Sequence, residues 1–217
     1  MAMRAYPFRT PYLIKKLFSG PIWKVNSPDE KTIYLTFDDG PDPEVTPYVL
    51  DLLEQYEAKA TFFVVGANAK KYPHVLQRIH ANGHAIGNHT QQHLSGWRTA
   101  PKKYYQDVIL CQQTLSQVLD VKPKHLFRPP YGRITPGQIR SLKQKYEIVM
   151  WSVLSGDFDT NLNVGSAKRA LVKSGAGEII VFHDSQKSLP NLKQLLPWFL
   201  ECFHSKGYKF AALSPRK

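Results

Sequence analysis

The sequence predicts an α/β protein, a distorted (β/α) barrel of about seven strands. Three observations lead there. Apolar, β-branched runs alternate with segments of helical period from Lys31 onward, which calls for a parallel sheet with helical crossovers. About seven such units in 217 residues suit a closed or nearly closed barrel. The polar clusters Asp38-Asp39, His89, Arg128, Asp157 and His183 each fall at the end of a predicted strand, where barrels of this kind carry their function.

Taken in order, residues 1–30 form a basic lead-in segment, with Tyr12, Leu13, Ile14, Leu17 and Phe18 expected to pack on the domain that occupies 31–217. Lys31–Phe37 is a strand by its β-branched and aromatic content. Val45, Tyr48, Val49, Leu52, Leu53 and Tyr56 mark one face of an amphipathic helix. Thr61–Val65 is a wholly apolar strand, a helix passes through Val75, Leu76 and Ile79, and His84–Asn88 is a short strand. A long helix begins at Pro101, and Lys124–Phe127 reads as a strand delivering Arg128-Pro-Pro-Tyr-Gly. A helix over about 136–145 precedes the strand Ile148–Trp151, and residues 164–173 are helical. Glu178–Phe182 is a buried strand ending at His183-Asp184. In the last helix Pro197 should kink the chain or start it afresh. Gly207 ends that helix, and Tyr208–Leu213 is the final strand.

Composition sets outer limits. Apolar content of 42% and charge of 21% describe a globular chain, and no apolar run is long enough to span a bilayer. Cys111 and Cys202 lie in apolar-periodic segments and are expected as reduced core residues. The net charge of +12 suits an anionic partner: nucleic acid, an anionic wall polymer or a membrane surface. The first 28 residues lack the apolar core of about 7–15 residues that a signal peptide needs. As given, the sequence therefore indicates the cytoplasm, or the cell envelope or exterior if an upstream segment has been removed.

Asp38 and Asp39 are adjacent at a strand end, so their side chains point apart and divide two tasks, one binding a metal and the other acting as a base. Asp-Asp-Gly-Pro by itself is also ordinary turn composition. His89 and His93 are four apart, and one helical turn would bring both imidazoles to one face, a metal-ligand spacing. A metalloprotease would need Glu after the first histidine, and Thr90 stands there instead. Two imidazoles with a strand-end carboxylate make three ligands that leave positions open for water.

Thr36-Phe-Asp-Asp-Gly-Pro41, His89-Thr-Gln-Gln-His93, Arg128-Pro-Pro-Tyr-Gly132, the Trp151…Asp157 segment and Val181-Phe-His-Asp184 come in the order and spacing of five family motifs. Together they make the chain resemble the NodB-like polysaccharide deacetylases of carbohydrate esterase family four, from about Thr32 to Leu213. The resemblance implies a NodB-type barrel and, at 31–217, a metal-dependent catalytic domain that removes acetyl groups from N-acetylated amino sugars of a peptidoglycan- or chitin-like glycan. It implies Asp38 as base, with Asp39, His89 and His93 holding one divalent ion, zinc foremost, cobalt or nickel next. It further implies that Arg128 orients the base and that the Tyr131 backbone N–H meets the oxyanion. His183 matches the general acid and Asp157 the carboxylate that holds it, while Trp151 lies in the same motif. Phe158 and Val181 stand where the family usually has tryptophan and leucine, as walls of the acetate pocket, so a different pocket width is expected. The expected partner is an acetylated glycan, for which the basic charge suits an anionic polymer, and not nucleic acid. An O-acetyl esterase acting on acetylated xylan is the first rival, a non-catalytic binding module on the same scaffold the second, and a metallo-phosphodiesterase a weaker third.

Overall fold

The computed structural model describes residues 6–18, 20–26, 31–121, 123 and 125–214. Parts of the lead-in expected over residues 1–30 and the start of the strand expected from Lys124 lie outside the described residues. Among the described residues there are eight strands: β1 (Thr32–Asp38), β2 (Ala60–Val64), β3 (Ala85–Asn88), β4 (Leu126–Phe127), β5 (Glu147–Ile148), β6 (Val153–Leu154), β7 (Ile179–His183) and β8 (Lys209–Phe210). The helices are α1 (Tyr12–Leu17), α2 (Val45–Gln55), α3 (Gly66–Lys71), α4 (Pro73–Ala81), α5 (Pro101–Leu119), α6 (Pro136–Leu142), α7 (Val164–Leu171) and α8 (Leu189–His204). All strand pairings are parallel, in the order β5-β4-β3-β2-β1-β7-β6, with β8 added to the start of β1.

Alternation along the strands separates two cores. Ile33, Leu35 and Phe37 of β1, with Phe62, Ile180 and Phe182, face outward under the helices. There Phe37 stacks on Phe62 at 5.0 Å, and Phe182 meets Phe199 of α8 edge-on at 5.9 Å. The intervening residues face inward, where Phe63, Leu126, Val149 and Ile179 form a smaller cluster with Tyr34 and Trp151 against it. Thr36 and Asp38 share the inward parity, and this delivers the chemistry to the inside of the curl.

The barrel departs from the expectation of near closure. Of the strand expected over Ile148–Trp151 only Ile148 is in a strand, at the end of β5; β6 begins beyond it at Val153, and β5 and β6 form opposite edges of the sheet. The lead-in segment fills the seam between them. Ile22 N–H donates to Ile148 O (2.7 Å) and Ile22 O accepts from Met150 N–H (2.8 Å), while Phe8 O accepts from Leu154 N–H (2.7 Å) and Thr10 N–H donates to Ser152 O (3.0 Å). The unpaired edge groups of both strands thus find partners without strand closure.

Other expectations also change. Tyr12, Leu13 and Leu17 do not pack on the domain; they are 75%, 69% and 77% exposed, and Ile14 and Phe18 are each 40% exposed. The helix expected through Val75, Leu76 and Ile79 is α4, which Pro73 starts, and a short further helix, α3, precedes it. Pro197 does not end α8, which runs from Leu189 to His204 with Leu192, Leu195, Leu196, Phe199, Leu200 and Phe203 buried along one face. One lost backbone bond is outweighed there by apolar burial on both sides of the proline. Cys111 and Cys202 are both free thiols.

Candidate active site

At the end of β1 the side chains of Asp38 and Asp39 diverge. Asp38 is buried, and its Oδ1 accepts from Arg128 Nη1 at 2.7 Å. Arg128 enters from the end of β4 and is itself fully buried. Every guanidinium nitrogen is used: Nη1 also donates to Thr36 Oγ1 (2.7 Å), Nη2 to Met150 O (2.9 Å) and Nε to Val149 O (3.3 Å). Its plane lies over the Phe63 ring at 4.1 Å. Burial lowers the pKa of this guanidinium, and the Asp38 carboxylate opposes that. Such a buried ion pair is strongly costly to break from one side.

Asp39, in the left-handed region at φ 79°, turns instead toward the imidazoles. Its Oδ1 lies 3.0 Å from His93 Nε2 and 3.6 Å from His89 Nε2. Burial pushes the Asp39 carboxyl up, but the neighbouring His89 and His93 imidazoles outweigh it and hold the group well below the usual carboxylate range. His89 Nδ1 is 2.7 Å from Arg128 O, so it carries the proton and donates, which leaves Nε2 as a lone-pair donor. Asp39, His89 and His93 each offer an atom within 4.8 Å of the others. Two imidazole nitrogens and one carboxylate oxygen fit a single divalent cation with open positions.

The two histidines do not share a helical turn as their spacing suggested. They lie in an irregular loop after β3, with Thr90 at φ 65° and His93 at φ 54°. Side chains replace the helix ladder: Asn88 Oδ1 accepts from Thr90 N–H (2.9 Å), Asp107 Oδ2 from Gln91 N–H (2.8 Å), and Thr90 Oγ1 from Leu94 N–H (3.0 Å). The imidazole rings converge all the same, with centroids 5.1 Å apart.

At the end of β7, His183 Nδ1 lies 2.7 Å from Asp157 Oδ1, and its backbone N–H donates to Asp157 Oδ2 at 2.8 Å. Asp157 is fully buried and accepts from Ser155 Oγ at 2.8 Å. Burial lowers the pKa of His183, but the Asp157 carboxylate raises it further, helped by Asp39 and Asp38, and the net value is pushed up to about 9. Phe158 meets the His183 ring edge-on at 5.0 Å. Val181 is buried two residues before His183, on the same face of β7. Tyr131 holds a left-handed conformation (φ 60°, ψ 8°), is 60% exposed, and presents its ring to His93 at 4.7 Å. Gly132 follows at φ 66°, where a Cβ would lie 2.6 Å from the Trp151 ring. Asp39, Thr90, His93 and Tyr131 make four of the six non-glycine residues with positive φ among those described. Backbone strain is thus concentrated on the cluster.

Four supporting residues escaped the sequence reading. Thr36 receives Arg128, Ser155 holds Asp157, and Asn68 Nδ2 donates to Asp39 O at 2.8 Å. Asp184 accepts from Gly40 N–H (3.1 Å) and Thr46 Oγ1 (2.6 Å), bracing the turn that follows the two aspartates. A Cβ on Gly40 would stand 2.0 Å from Asp184 Oδ2. Burial pushes the Asp184 carboxyl up to about 8. The available signal was a threonine at an inward position of an apolar strand and a carboxylate directly after His183.

A curled parallel sheet with paired carboxylates, two imidazoles and a buried arginine at its strand ends defines a metal-dependent hydrolase of the carbohydrate esterase type. The family model for polysaccharide deacetylase matches residues 25–150, and the chain belongs to that family, which is generally metal-dependent. It is 36% identical over 195 residues to a peptidoglycan-N-acetylglucosamine deacetylase of Bacillus cereus, covering 88% of this chain and 90% of that protein. A chitooligosaccharide deacetylase of Azorhizobium caulinodans is 35% identical over 158 residues, covering 72% and 75%. Among solved structures, the Bc1960 peptidoglycan N-acetylglucosamine deacetylase superposes with a TM-score of 0.78 at 31% identity, covering 94% of this chain and 95% of that one. The family 4 carbohydrate esterase from Streptomyces lividans, solved with acetate, gives 0.74 at 29%, covering 85% and 94%.

Proposed function

We propose that this protein hydrolyses the acetamido group of N-acetylated amino sugars in a peptidoglycan- or chitin-like glycan, using one divalent cation. The observation that carries the reading is the juxtaposition of three differently held groups: Asp38 on Arg128, Asp39 with His89 and His93, and His183 on Asp157. Residues 31–217 are the catalytic domain in this reading, and residues 1–30 the basic lead-in.

Asp39, His89 and His93 would hold the cation, and two nitrogens with one carboxylate favour zinc, then cobalt or nickel. A cation there supplies Lewis acidity to the acetyl carbonyl and acidifies water. The remaining work belongs to the chain. Asp38, fixed by its bond to Arg128 Nη1, takes the proton of the attacking water. The Tyr131 backbone N–H, turned by its left-handed conformation, donates to the developing oxyanion, a contribution of roughly 3–4 kcal/mol. His183, its Nδ1 proton committed to Asp157, gives the Nε2 proton to the departing amine. Without that transfer the tetrahedral intermediate returns to the amide. Phe158 and Val181 wall the methyl group, with Trp151 behind the Tyr131-Gly132 loop. The net charge of +12 supports an anionic glycan as substrate, and in this reading the enzyme works at the cell envelope. Among the described residues no helix is long and apolar enough to cross a membrane.

Acetate release from peptidoglycan, chitooligosaccharides and acetylxylan, measured side by side, tests the proposal. Release from either amino-sugar substrate supports it. Release from acetylxylan alone makes the protein an O-acetyl esterase, and binding to glycan with no release from any of the three makes it a binding module.

A further inference from the structure

The lead-in segment leaves a cavity of about 320 Å³ between itself, the turn at Trp97 and α6. Phe18, Trp23, Trp97, Ile139, Met150 and Trp151 are among its walls. Four side-chain polar groups of the walls are spent on the protein. Trp23 Nε1 donates to Phe18 O (2.8 Å), Trp97 Nε1 to Ile134 O (3.2 Å), Thr10 Oγ1 to Trp151 O (2.9 Å) and Tyr6 Oη to Asp159 Oδ2 (2.9 Å). A sugar ring entering this space would surrender the water on its hydroxyls and gain few partners in return. A hydrocarbon chain surrenders nothing and gains burial.

The surroundings choose which hydrocarbon. Three of the segments that line the cavity, 6–24, 94–106 and 130–146, contain no aspartate or glutamate, and Lys16, Arg98 and Arg140 are exposed on them; a fourth stretch supplies Met150, Trp151 and Leu154, and beyond it Asp159 is bonded to Tyr6. Arg133 lies over both Trp97 and Tyr131, at 5.5 Å from each ring. Ile14 and Phe18 line the cavity, and their neighbours on α1, Tyr12, Leu13 and Leu17, are exposed to solvent. An apolar surface therefore runs outward from the cavity within a margin in which cations predominate and Asp159 is the acid bonded at its wall. That combination matches an amphiphile with an anionic head.

We propose that the cavity takes a hydrocarbon chain of an anionic lipid, with α1 seated on the lipid surface and the basic margin against its headgroups. The inference does not rest on the deacetylase reading, although Tyr131 and Trp151 border both sites, so the seated enzyme would present its catalytic mouth at that surface.

Flotation of the purified protein with vesicles of phosphatidylcholine alone, or with added phosphatidylglycerol, tests this. Binding should require phosphatidylglycerol. Lys16→Ala and Arg140→Ala should each weaken it about fivefold, and Leu13→Glu with Leu17→Glu should abolish it, with unchanged circular dichroism in every variant. Phosphatidylglycerol with brominated chains should quench most of the tryptophan emission, because Trp23, Trp97 and Trp151 line the cavity and Trp198 does not. Equal binding to neutral and anionic vesicles overturns the proposal, as does the absence of binding. So does binding without quenching, or binding that the two leucine substitutions leave intact, since each reduces the contact to surface charge.

Discussion

Replacing Asp157 by Asn should move the alkaline limb of the pH–rate profile by more than two pH units while leaving the acidic side nearly untouched. In the folded protein His183 is held up to about 9, with burial opposing and the Asp157 carboxylate prevailing. Without that carboxylate, burial is opposed only by the more distant Asp39 and Asp38, and the imidazole falls toward or below its ordinary value of about 6.5. At pH 8 a group with a pKa of about 9 is roughly 90% protonated, and one of about 6.5 roughly 3%, so the competent fraction drops about thirtyfold. At pH 6 both are largely protonated and the loss is less than about twofold. The assay is acetate release from a soluble chitooligosaccharide between pH 5 and 10, with metal content measured at each pH. A merely structural role for Asp157 would lower the rate by one factor at every pH, and that outcome, or an unmoved limb, refutes the reasoning. The same pair is linked to stability. A histidine whose folded pKa is raised adds stability that is complete below about pH 6.5 and fades as pH rises through about 9. Asp157→Asn should therefore lower Tm more at pH 6 than at pH 10.

Further outcomes follow from the other groups. Asp39→Ala should lose bound metal and activity together, whereas Asp38→Asn should keep the metal and lose about 10²–10⁴ in kcat; elemental analysis beside turnover separates them. Arg128→Met strands the Asp38 carboxylate in the interior and should cost about 3–5 kcal/mol in urea unfolding, and a loss below about 1 kcal/mol would show that the pair is not truly buried. Asp184 titrates in the opposite sense to an ordinary carboxylate. Burial raises its folded pKa to about 8, so its contribution is best below about pH 4 and deteriorates up to about pH 8. In metal-stripped protein, Asp184→Asn should gain Tm relative to the parent between pH 5 and 8, and a constant difference across that range would count against the raised pKa. Phe37→Ala should cost about 3–5 kcal/mol by the same unfolding assay, because its ring is stacked and fully buried.

The sequence by itself determined the alternation of strands and helices, the family, and the identity of the residues that meet at the strand ends. Those are periodic or local signals. Ile33, Leu35 and Phe37 alternate with Tyr34, Thr36 and Asp38, so period alone assigns the faces of β1 and places Asp38 inward. Adjacency alone requires Asp38 and Asp39 to diverge. What the tertiary structure decided depends on partners distant along the chain. His89 and His93 converge through a loop tied by Asn88 and Asp107, and no spacing rule announces that. The β5–β6 seam is filled by Phe8 and Ile22 because two short edge strands left backbone groups unpaired, a need invisible until the curl of the sheet is known. Tyr12, Leu13 and Leu17 look like core residues by type, yet that seam is already occupied, and they remain outside. The charge state of His183 was likewise undecided by sequence. Burial and a carboxylate 26 positions away compete for its proton, and only their distance in space, 2.7 Å, settles which prevails.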